Sequence, residues 1–310
     1  MPVLKLIPAC KEYIWGGTRL IREFGKTTDR PTMAESWELS CHSDGPSVIA
    51  NGAYAGQTLA AYIEKEGRGV LGTNCRKYAE FPILIKLIDA ARDLSVQVHP
   101  DNAYALAHEG QYGKTEAWIV LDAAEGAFLY EGFTREITRE EFRQSIEAGT
   151  LTQLLRRIPV KKGDVLFIPA GTIHAICAGV LVAEVQQNSN VTYRVYDYGR
   201  PGADGKPRTL HIPQALAVTA LTPAEEHTDF GGHTVQCGLF TVDRRSAPWT
   251  ETCDGASFTS VLITDGEGGI TLGEETVPCR KGDSLFIPAG SGEFSLSGNV
   301  EALLTRIGMI

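Results

Sequence analysis

The chain has 310 residues, of which 43% are hydrophobic and 22% are charged, a balance typical of a globular protein rather than a disordered one. Its formal net charge of -9 argues against nucleic acid as a partner, because phosphate backbones are bound by an excess of Lys and Arg. An anionic ligand would therefore need a local basic pocket.

The cysteines and the apolar runs bear on the cellular location of the chain. The seven cysteines are scattered and include no CxxC pair, so neither a disulfide framework nor a thiolate zinc site is predicted. The N-terminal apolar run is interrupted by Lys5 and Pro8, and longer runs elsewhere are interrupted by Lys86 and Glu184. None of them has the length of a signal sequence or a membrane span. We therefore expect a cytoplasmic protein without a membrane segment.

Short β-strands dominate the predicted elements from residue 81 onward, where the first predicted strand begins. Segments rich in Val, Ile, Phe and Leu alternate with Gly, Pro and Asp, a pattern typical of an antiparallel sandwich or barrel. The predicted strands lie at 81–88, 94–99, 116–122, 164–170, 179–187, 191–198, 258–264, 283–289 and 301–307.

Helical patterns are fewer. Weak patterns begin at Thr58 and at Asp101. The clearest pattern runs from Thr138 to Arg157, where Thr138 as N-cap and Glu141 three residues later form a capping box before an apolar series. We therefore expect a few helices inserted among the strands.

An internal repeat is the most informative feature of the organisation. The segment KKGDVLFIPAGTIHA at 161–175 matches RKGDSLFIPAGSGEF at 280–294, with nine of ten positions identical from Lys162 to Gly171. This self-similarity predicts two copies of one β unit. The copies differ where chemistry is expected, because His174 of the first copy aligns with Glu293 of the second. We expect the second copy to keep the strand and the turn without a metal.

A set of possible metal ligands accompanies the first copy. Residues 94–99 alternate strictly between apolar and polar side chains, so Gln97 and His99 share one face of the predicted strand. Glu116 opens another predicted strand, and His174 follows the turn of the repeat. Two imidazoles with a carboxylate form a ligand set that suits Zn, Fe, Mn or Ni and leaves positions open for a substrate.

The spacing of these residues resembles the cupin pattern. The segment 163–174 resembles the second cupin motif, in which a glycine, a proline, a second glycine and the metal histidine follow one another at fixed distances. The first cupin motif is altered, since Gln97-Val98-His99 replaces the usual His-x-His and Glu116 comes 17 residues after His99.

These departures themselves resemble one family, the type I mannose-6-phosphate isomerases. Its Gln-x-His-Pro-Asp, Lys-x-Glu and Pro-x-Gly-x-x-His segments correspond here to 97–101, 114–116 and 169–174. Further segments at 12–17, 35–38, 81–86 and 193–198 look like the short bacterial form. The resemblance therefore covers nearly the whole chain.

The resemblance implies a mainly β fold of two cupin-like β-barrel (jelly-roll) lobes with a few inserted α-helices. Residues 1–235 would form the catalytic, metal-binding lobe with helical insertions. Residues 236–310 would form a second, degenerate lobe that lacks metal. We expect a monomer or a weak homo-oligomer.

The resemblance also implies a reaction, the reversible interconversion of mannose 6-phosphate and fructose 6-phosphate through an enediol. Such proton transfer between C1 and C2 needs a Lewis acid, a base and an anchor for the phosphate. One divalent ion, expected to be zinc, would be held by His99, Glu116 and His174, with Gln97 beside them.

The remaining site residues fall into two groups. The candidate catalytic residues are Arg194, Lys114 and Asp197, and the sequence does not decide whether Lys114 or Asp197 moves the proton. The candidate phosphate ligands are Arg200, Lys86 and Ser95. Arg194 is expected to act electrostatically, because its guanidinium stays protonated.

Two other functions remain open from the residues alone. The first is a non-catalytic, metal-bearing cupin that binds or senses a sugar phosphate. The second is an iron dioxygenase, since the same ligand set permits iron. A small phosphorylated sugar is the expected ligand both of the isomerase and of the sensing cupin.

Overall fold

The computed structural model describes residues 1–202 and 205–308. Within them the chain forms twenty strands and five α-helices. The strands are β1 (Leu4–Ile7), β2 (Ala9–Lys11), β3 (Glu35–Leu39), β4 (Val48–Ile49), β5 (Ile83–Ala90), β6 (Val96–Val98), β7 (Glu116–Ala123), β8 (Phe128–Phe133), β9 (Leu155–Pro159), β10 (Val165–Ile168), β11 (His174–Ile176), β12 (Val180–Gln187), β13 (Tyr193–Tyr196), β14 (Val235–Gln236), β15 (Thr241–Ser246), β16 (Trp249–Cys253), β17 (Thr259–Leu272), β18 (Glu275–Arg280), β19 (Ser284–Ile287) and β20 (Gly292–Arg306). The helices are α1 (Arg19–Phe24), α2 (Leu59–Glu66), α3 (Asn102–His108), α4 (Arg139–Glu147) and α5 (Ile212–Val218).

The chain divides into two compact units. The first unit comprises Met1–Lys11, Thr18–Leu87 and Asp229–Ile310, and the second comprises Glu12–Gly17 and Ile88–Thr228. The predicted division after residue 235 is different, because it assigns the N-terminal segments to the metal-binding lobe. In the structure β1 pairs with β19, so these segments group with the C-terminal strands. That metal binding is confined to one lobe stays a prediction.

The first unit is built on a nine-stranded antiparallel sheet. Its order is β14-β15-β20-β17-β19-β1-β4, with β16 also paired to β20 and β18 to β17. The long strands β17 and β20 pair from Ser260 opposite Thr305 to Leu272 opposite Phe294. Their buried side chains pack into an apolar core with those of β18 and β19. This part of the fold is stabilised by apolar burial rather than by a polar centre.

The second unit contains a five-stranded sheet in the order β13-β6-β11-β8-β9. Strand β7 lies between β10 and β12, to which it pairs in antiparallel fashion. The alternation read from residues 94–99 is confirmed, because Val96 and Val98 are fully buried in an apolar cluster on one face. Gln97 on the other face lies opposite His174 of β11 and Arg194 of β13. These three side chains therefore form a row across three strands.

Helices α2, α3 and α4 begin where the sequence indicates, but the longest predicted helix is wrong at its end. The hydroxyl oxygens of Thr58 and Thr138 and the carboxylate of Asp101 accept hydrogen bonds from the first turns of α2, α4 and α3. Helix α4 nevertheless ends at Glu147 rather than at Arg157. Gly149 adopts a φ of 68°, which terminates the helix, and the chain then enters β9 beside β8.

The predicted mainly β fold is confirmed: the structure is built of antiparallel sheets with a few inserted helices. In the described residues, no helix combines the length and the apolar character needed to cross a membrane.

Candidate metal centre and active site

The structure brings His99, Glu116 and His174 together in the second unit. His99 follows β6, whereas Glu116 and His174 are the first residues of β7 and β11. One ligand atom from each residue lies within 4.8 Å of the others, and all three side chains are buried. His174 Nε2 lies 3.2 Å from Glu116 Oε1, and His99 Nε2 lies 3.6 Å from Glu116 Oε2.

Backbone carbonyls fix the orientation of both imidazoles. His99 Nδ1 lies 2.9 Å from the carbonyl oxygen of Val191, and His174 Nδ1 lies 2.9 Å from that of Thr172. Because a carbonyl only accepts, each Nδ1 must carry the proton and donate it. Each Nε2 therefore carries a lone pair, and each lies near an oxygen of the Glu116 carboxylate. Metal-binding histidines are commonly oriented in this way.

The charge state of His174 completes this arrangement. Burial lowers the pKa of His174 to about 4, with a hydrogen bond to the Thr172 carbonyl opposing the shift. The ring is therefore neutral at pH 7. Its buried Nε2 has no hydrogen-bond donor among residues 1–202 and 205–308. A lone pair held 3.2 Å from a carboxylate oxygen is unfavourable unless a cation lies between them, so the residues fit a divalent metal ion.

Lys114 and Glu184 extend the polar interior around this triad. Lys114 Nζ lies 2.8 Å from Glu116 Oε2, 3.2 Å from His99 Nε2 and 4.0 Å from Glu184 Oε1. The indole of Trp118 donates to Glu184 Oε2 at 3.0 Å. Lys114 is 5% exposed and Glu184 is 3% exposed, so both charges depend on one another and on the triad for compensation.

Comparison with known proteins places this site in a family. Residues 3–117 match the family described as phosphomannose isomerase type I, catalytic domain, and residues 233–307 match mannose-6-phosphate isomerase, cupin domain. The chain is 39% identical to mannose-6-phosphate isomerase of Bacillus subtilis over 97% of both chains, and 40% identical to that of Streptococcus mutans over 94% of both. The chain belongs to the type I mannose-6-phosphate isomerases.

The fold agrees with this membership. A crystal structure of the mannose 6-phosphate isomerase from Bacillus subtilis superimposes with a TM-score of 0.91, at 36% identity, over 98% of this chain and 99% of that one. The predicted resemblance to the family is thereby confirmed.

A group of charged residues, which we call the arginine cluster, includes Arg194 of the row that contains Gln97. It consists of Arg194, Asp197, Arg200 and Arg208. Arg200 and Arg208 both donate to the Asp197 carboxylate, and Arg194 donates to the carbonyl oxygen of Thr209 at 3.0 Å. Burial, together with the neighbouring Arg208, lowers the pKa of Arg194 from its ordinary value.

Asp197 is held as a carboxylate by this cluster. Burial raises its pKa, but the hydrogen bonds and charges of Arg208 and Arg200 outweigh burial and leave the pKa below its ordinary value. A group that is ionised and engaged by two guanidinium groups is a poor proton carrier. The hydrogen bonds of Asp197 are suited to holding Arg200 and Arg208 in position.

The predicted phosphate ligands lie on different elements of the chain. Arg200 lies in the arginine cluster, and Ser95 is buried directly before β6. Lys86 belongs to the first unit, where its amine lies 3.7 Å from Glu35 Oε2 and over the ring of Trp37. A contact of any of them with a phosphate stays a prediction, as does a direct bond from Gln97 to a metal.

Sequence reasoning missed Glu184 and Arg208. Glu184 stands in β12, whose eight residues are all buried, and a carboxylate in such a strand is a signal for a polar centre. Its position opposite Trp118 of β7 aims it at the same interior as Glu116. Arg208 lies in an irregular segment without periodicity, so only the fold reveals its neighbours.

Proposed function

We propose that this chain interconverts mannose 6-phosphate and fructose 6-phosphate by proton transfer between C1 and C2. The observation that carries the proposal is the buried triad of His99, Glu116 and His174, in which the two imidazole Nε2 atoms lie 3.6 Å and 3.2 Å from oxygens of one carboxylate. It lies in a chain that matches mannose-6-phosphate isomerases over 97% of its length. This match favours the isomerase over a non-catalytic sensing cupin and over an iron dioxygenase.

The cofactor in this proposal is a single zinc ion. His99, Glu116 and His174 would hold it, with Gln97 beside them. When bound, the ion would polarise the sugar oxygens and stabilise the negative charge that develops on them.

The proton carrier in this proposal is Lys114. Its amine lies 2.8 Å from the Glu116 carboxylate and 3.2 Å from His99 Nε2, so it points into the centre of the site. Asp197, the other candidate from the sequence, is engaged by two arginines and is assigned to positioning instead. Arg194 stays protonated in the row beside Gln97 and supplies positive charge to the sugar oxygens.

The substrate phosphate would bind at the arginine cluster, in which Arg200 was a candidate from the sequence. Ser95 and Lys86 remain predicted contacts. A cytoplasmic location and a monomeric or weakly homo-oligomeric state also stay predictions.

A coupled isomerase assay before and after chelation, combined with metal analysis, tests the proposal. Conversion of mannose 6-phosphate that is lost with a chelator and restored by zinc supports it. Bound iron with oxygen uptake, or phosphosugar binding without turnover, would contradict it.

A further inference from the structure

An isolated antiparallel bridge brings the guanidinium groups of Arg200 and Arg208 together. Pro201 and Pro207 form an antiparallel bridge, and Arg200 and Arg208 flank it on its two strands. Two like charges at neighbouring cross-strand positions repel each other unless a carboxylate lies between them. Asp197 supplies that carboxylate.

The two arginines bind Asp197 in different ways. Arg208 approaches as a fork, with Nε donating to Oδ2 at 2.7 Å and Nη2 donating to Oδ1. Arg200 donates from Nη2 to Oδ1 at 2.7 Å, from Nε to the Asp197 carbonyl and from Nη1 to the Asp93 carbonyl. All three nitrogens of Arg200 are therefore used within the protein.

Arg208 keeps donors for a ligand. Its Nη1 has no acceptor among residues 1–202 and 205–308, and its side chain is 20% exposed. The fork on Asp197 fixes the plane of the guanidinium, so the opposite edge is oriented in advance. Preorganised donors bind an oxyanion with less loss of conformational entropy.

Arg200, in contrast, is tied into the turn that carries Asp197. Its guanidinium packs over the ring of Tyr198, 5.0 Å from the ring centre. Tyr198 adopts a φ of 57°, a left-handed conformation that a tyrosine rarely adopts without support from its surroundings. The contacts of Arg200 supply that support.

Arg194 links the cluster to the proposed sugar site. It lies opposite Gln97, which lies opposite His174. Its main chain is also bound at both ends by His211, whose Nδ1 accepts from Arg194 N at 3.1 Å and whose N donates to Arg194 O at 2.8 Å. The segment that carries Arg208 is thereby fastened to the strand that borders the site.

The net charge of the arginine cluster also suits a phosphate. Three arginines and one aspartate leave two positive charges on this cluster, in a protein whose formal net charge is -9. A phosphate monoester carries about -1.5 to -2 at pH 7. The cluster therefore matches such a group in charge as well as in donor geometry.

We infer that Arg208, held by Asp197, is a phosphate-binding residue of this site, whereas Arg200 mainly maintains the turn that presents Asp197. This inference rests on the proposed function, since the phosphate is that of the sugar substrate. It assigns to Arg208 a specificity for phosphorylated over unphosphorylated sugars.

The test compares Arg208→Gln, Arg208→Lys and Arg200→Gln with the native protein. The control is Arg143→Gln, which changes an arginine on α4 whose side chain is 51% exposed. For each protein we would measure kcat and KM for mannose 6-phosphate, inhibition by inorganic phosphate, calorimetric binding of inorganic phosphate, metal content and thermal unfolding.

We expect Arg208→Gln to raise both KM and the phosphate dissociation constant roughly 10- to 100-fold, the loss expected for hydrogen bonds to a charged group. Metal content should stay at the native value, whereas the unfolding midpoint should fall, because the buried Asp197 carboxylate loses the Arg208 fork. Arg208→Lys, which keeps the charge without the fork, should fall between Arg208→Gln and the native protein. Arg200→Gln should lower the unfolding midpoint, and it should raise the phosphate dissociation constant less than Arg208→Gln does.

Unchanged phosphate binding in Arg208→Gln, or an equal effect of Arg143→Gln, would overturn the inference. If Arg208→Gln fails to fold, Arg208→Lys provides the same comparison. A native protein that does not isomerise mannose 6-phosphate would refute the proposed function instead, while the calorimetric titration with inorganic phosphate would still decide the role of Arg208.

Discussion

The two copies of the repeat fold alike but end differently. In the first copy the Asp164 carboxylate accepts from Lys161 N at 2.9 Å, and in the second the Asp283 carboxylate accepts from Arg280 N at 2.8 Å. Each copy continues into a four-residue strand, β10 or β19. The exit turns, which follow these strands, also match. The N–H of Thr172 donates to the Pro169 carbonyl in the first copy, and the N–H of Ser291 donates to the Pro288 carbonyl in the second.

The two copies differ at the residue three positions after the glycine of the exit turn, Gly171 in the first copy and Gly290 in the second. His174 is fully buried against Glu116, whereas Glu293 is exposed on β20 opposite Thr252. The partner strands differ in the same way, since the first copy lies beside polar side chains and the second beside an apolar core. A turn that the two copies share thus supplies a place for a ligand, and the surrounding strands decide whether that place has a function.

The largest expected effect is that of His174→Ala. Removal of this imidazole leaves the carboxylate of Glu116 with a single histidine, so isomerase turnover should fall by more than the roughly 100-fold typical of losses around a metal site. The coupled assay checks this, with Glu293→Ala as the matched change in the other copy. Equal losses in the two variants would erase the proposed difference between the copies.

A second comparison uses the glycines of the exit turns. Gly171 and Gly290 have φ values of 88° and 78°, so alanine at either position should cost about 1–2 kcal/mol of unfolding free energy. A Cβ at Gly171 would also lie 3.1 Å from the Val218 carbonyl oxygen. Gly171→Ala should therefore lower metal affinity as well, and denaturant unfolding with metal titration would separate the two effects. A loss of metal in Gly290→Ala would count against the account.

The entry turns should differ by a smaller amount. Asp164→Ala removes one backbone contact and should lower the unfolding free energy by about 1 kcal/mol. Asp283→Ala should cost more, because its carboxylate also lies 2.6 Å from Lys5 Nζ. Urea unfolding of the two variants measures this order, and the reverse order would show that the Lys5 contact contributes nothing.

The smallest effect is expected for Glu293→His. It restores the histidine of the repeat but not the carboxylate and second imidazole that accompany it in the first copy. Metal content and turnover should stay at native values, as measured by mass spectrometry and the coupled assay. A second bound ion per chain would show that the turn alone determines metal binding.

Local sequence patterns predicted several strand faces and helix starts. The alternation around Gln97 predicted a shared face, the cap at Thr138 predicted the start of α4, and a weak pattern from Asp101 predicted α3. These predictions succeeded because each depends on a few neighbouring residues. The end of α4 was harder, because apolar residues from Leu151 onward fit both a helix and the strand that β8 favours.

Long-range features were out of reach for the same physical reason. The grouping of β1 with β19 depends on pairing between residues far apart in the chain, as in Leu4 opposite Phe286, 282 positions later. The contact of Arg208 with Asp197 depends on a bridge between two prolines. Neither has a periodic signature, so only the folded chain shows them.

The most direct test of the account is the metal stoichiometry of the native protein and of the His174→Ala and Glu293→Ala variants after dialysis. The account predicts one divalent ion per chain in the native protein and in Glu293→Ala, and almost none in His174→Ala. Loss of the ion in Glu293→Ala, or its retention in His174→Ala, would contradict the assignment of the metal to the first copy.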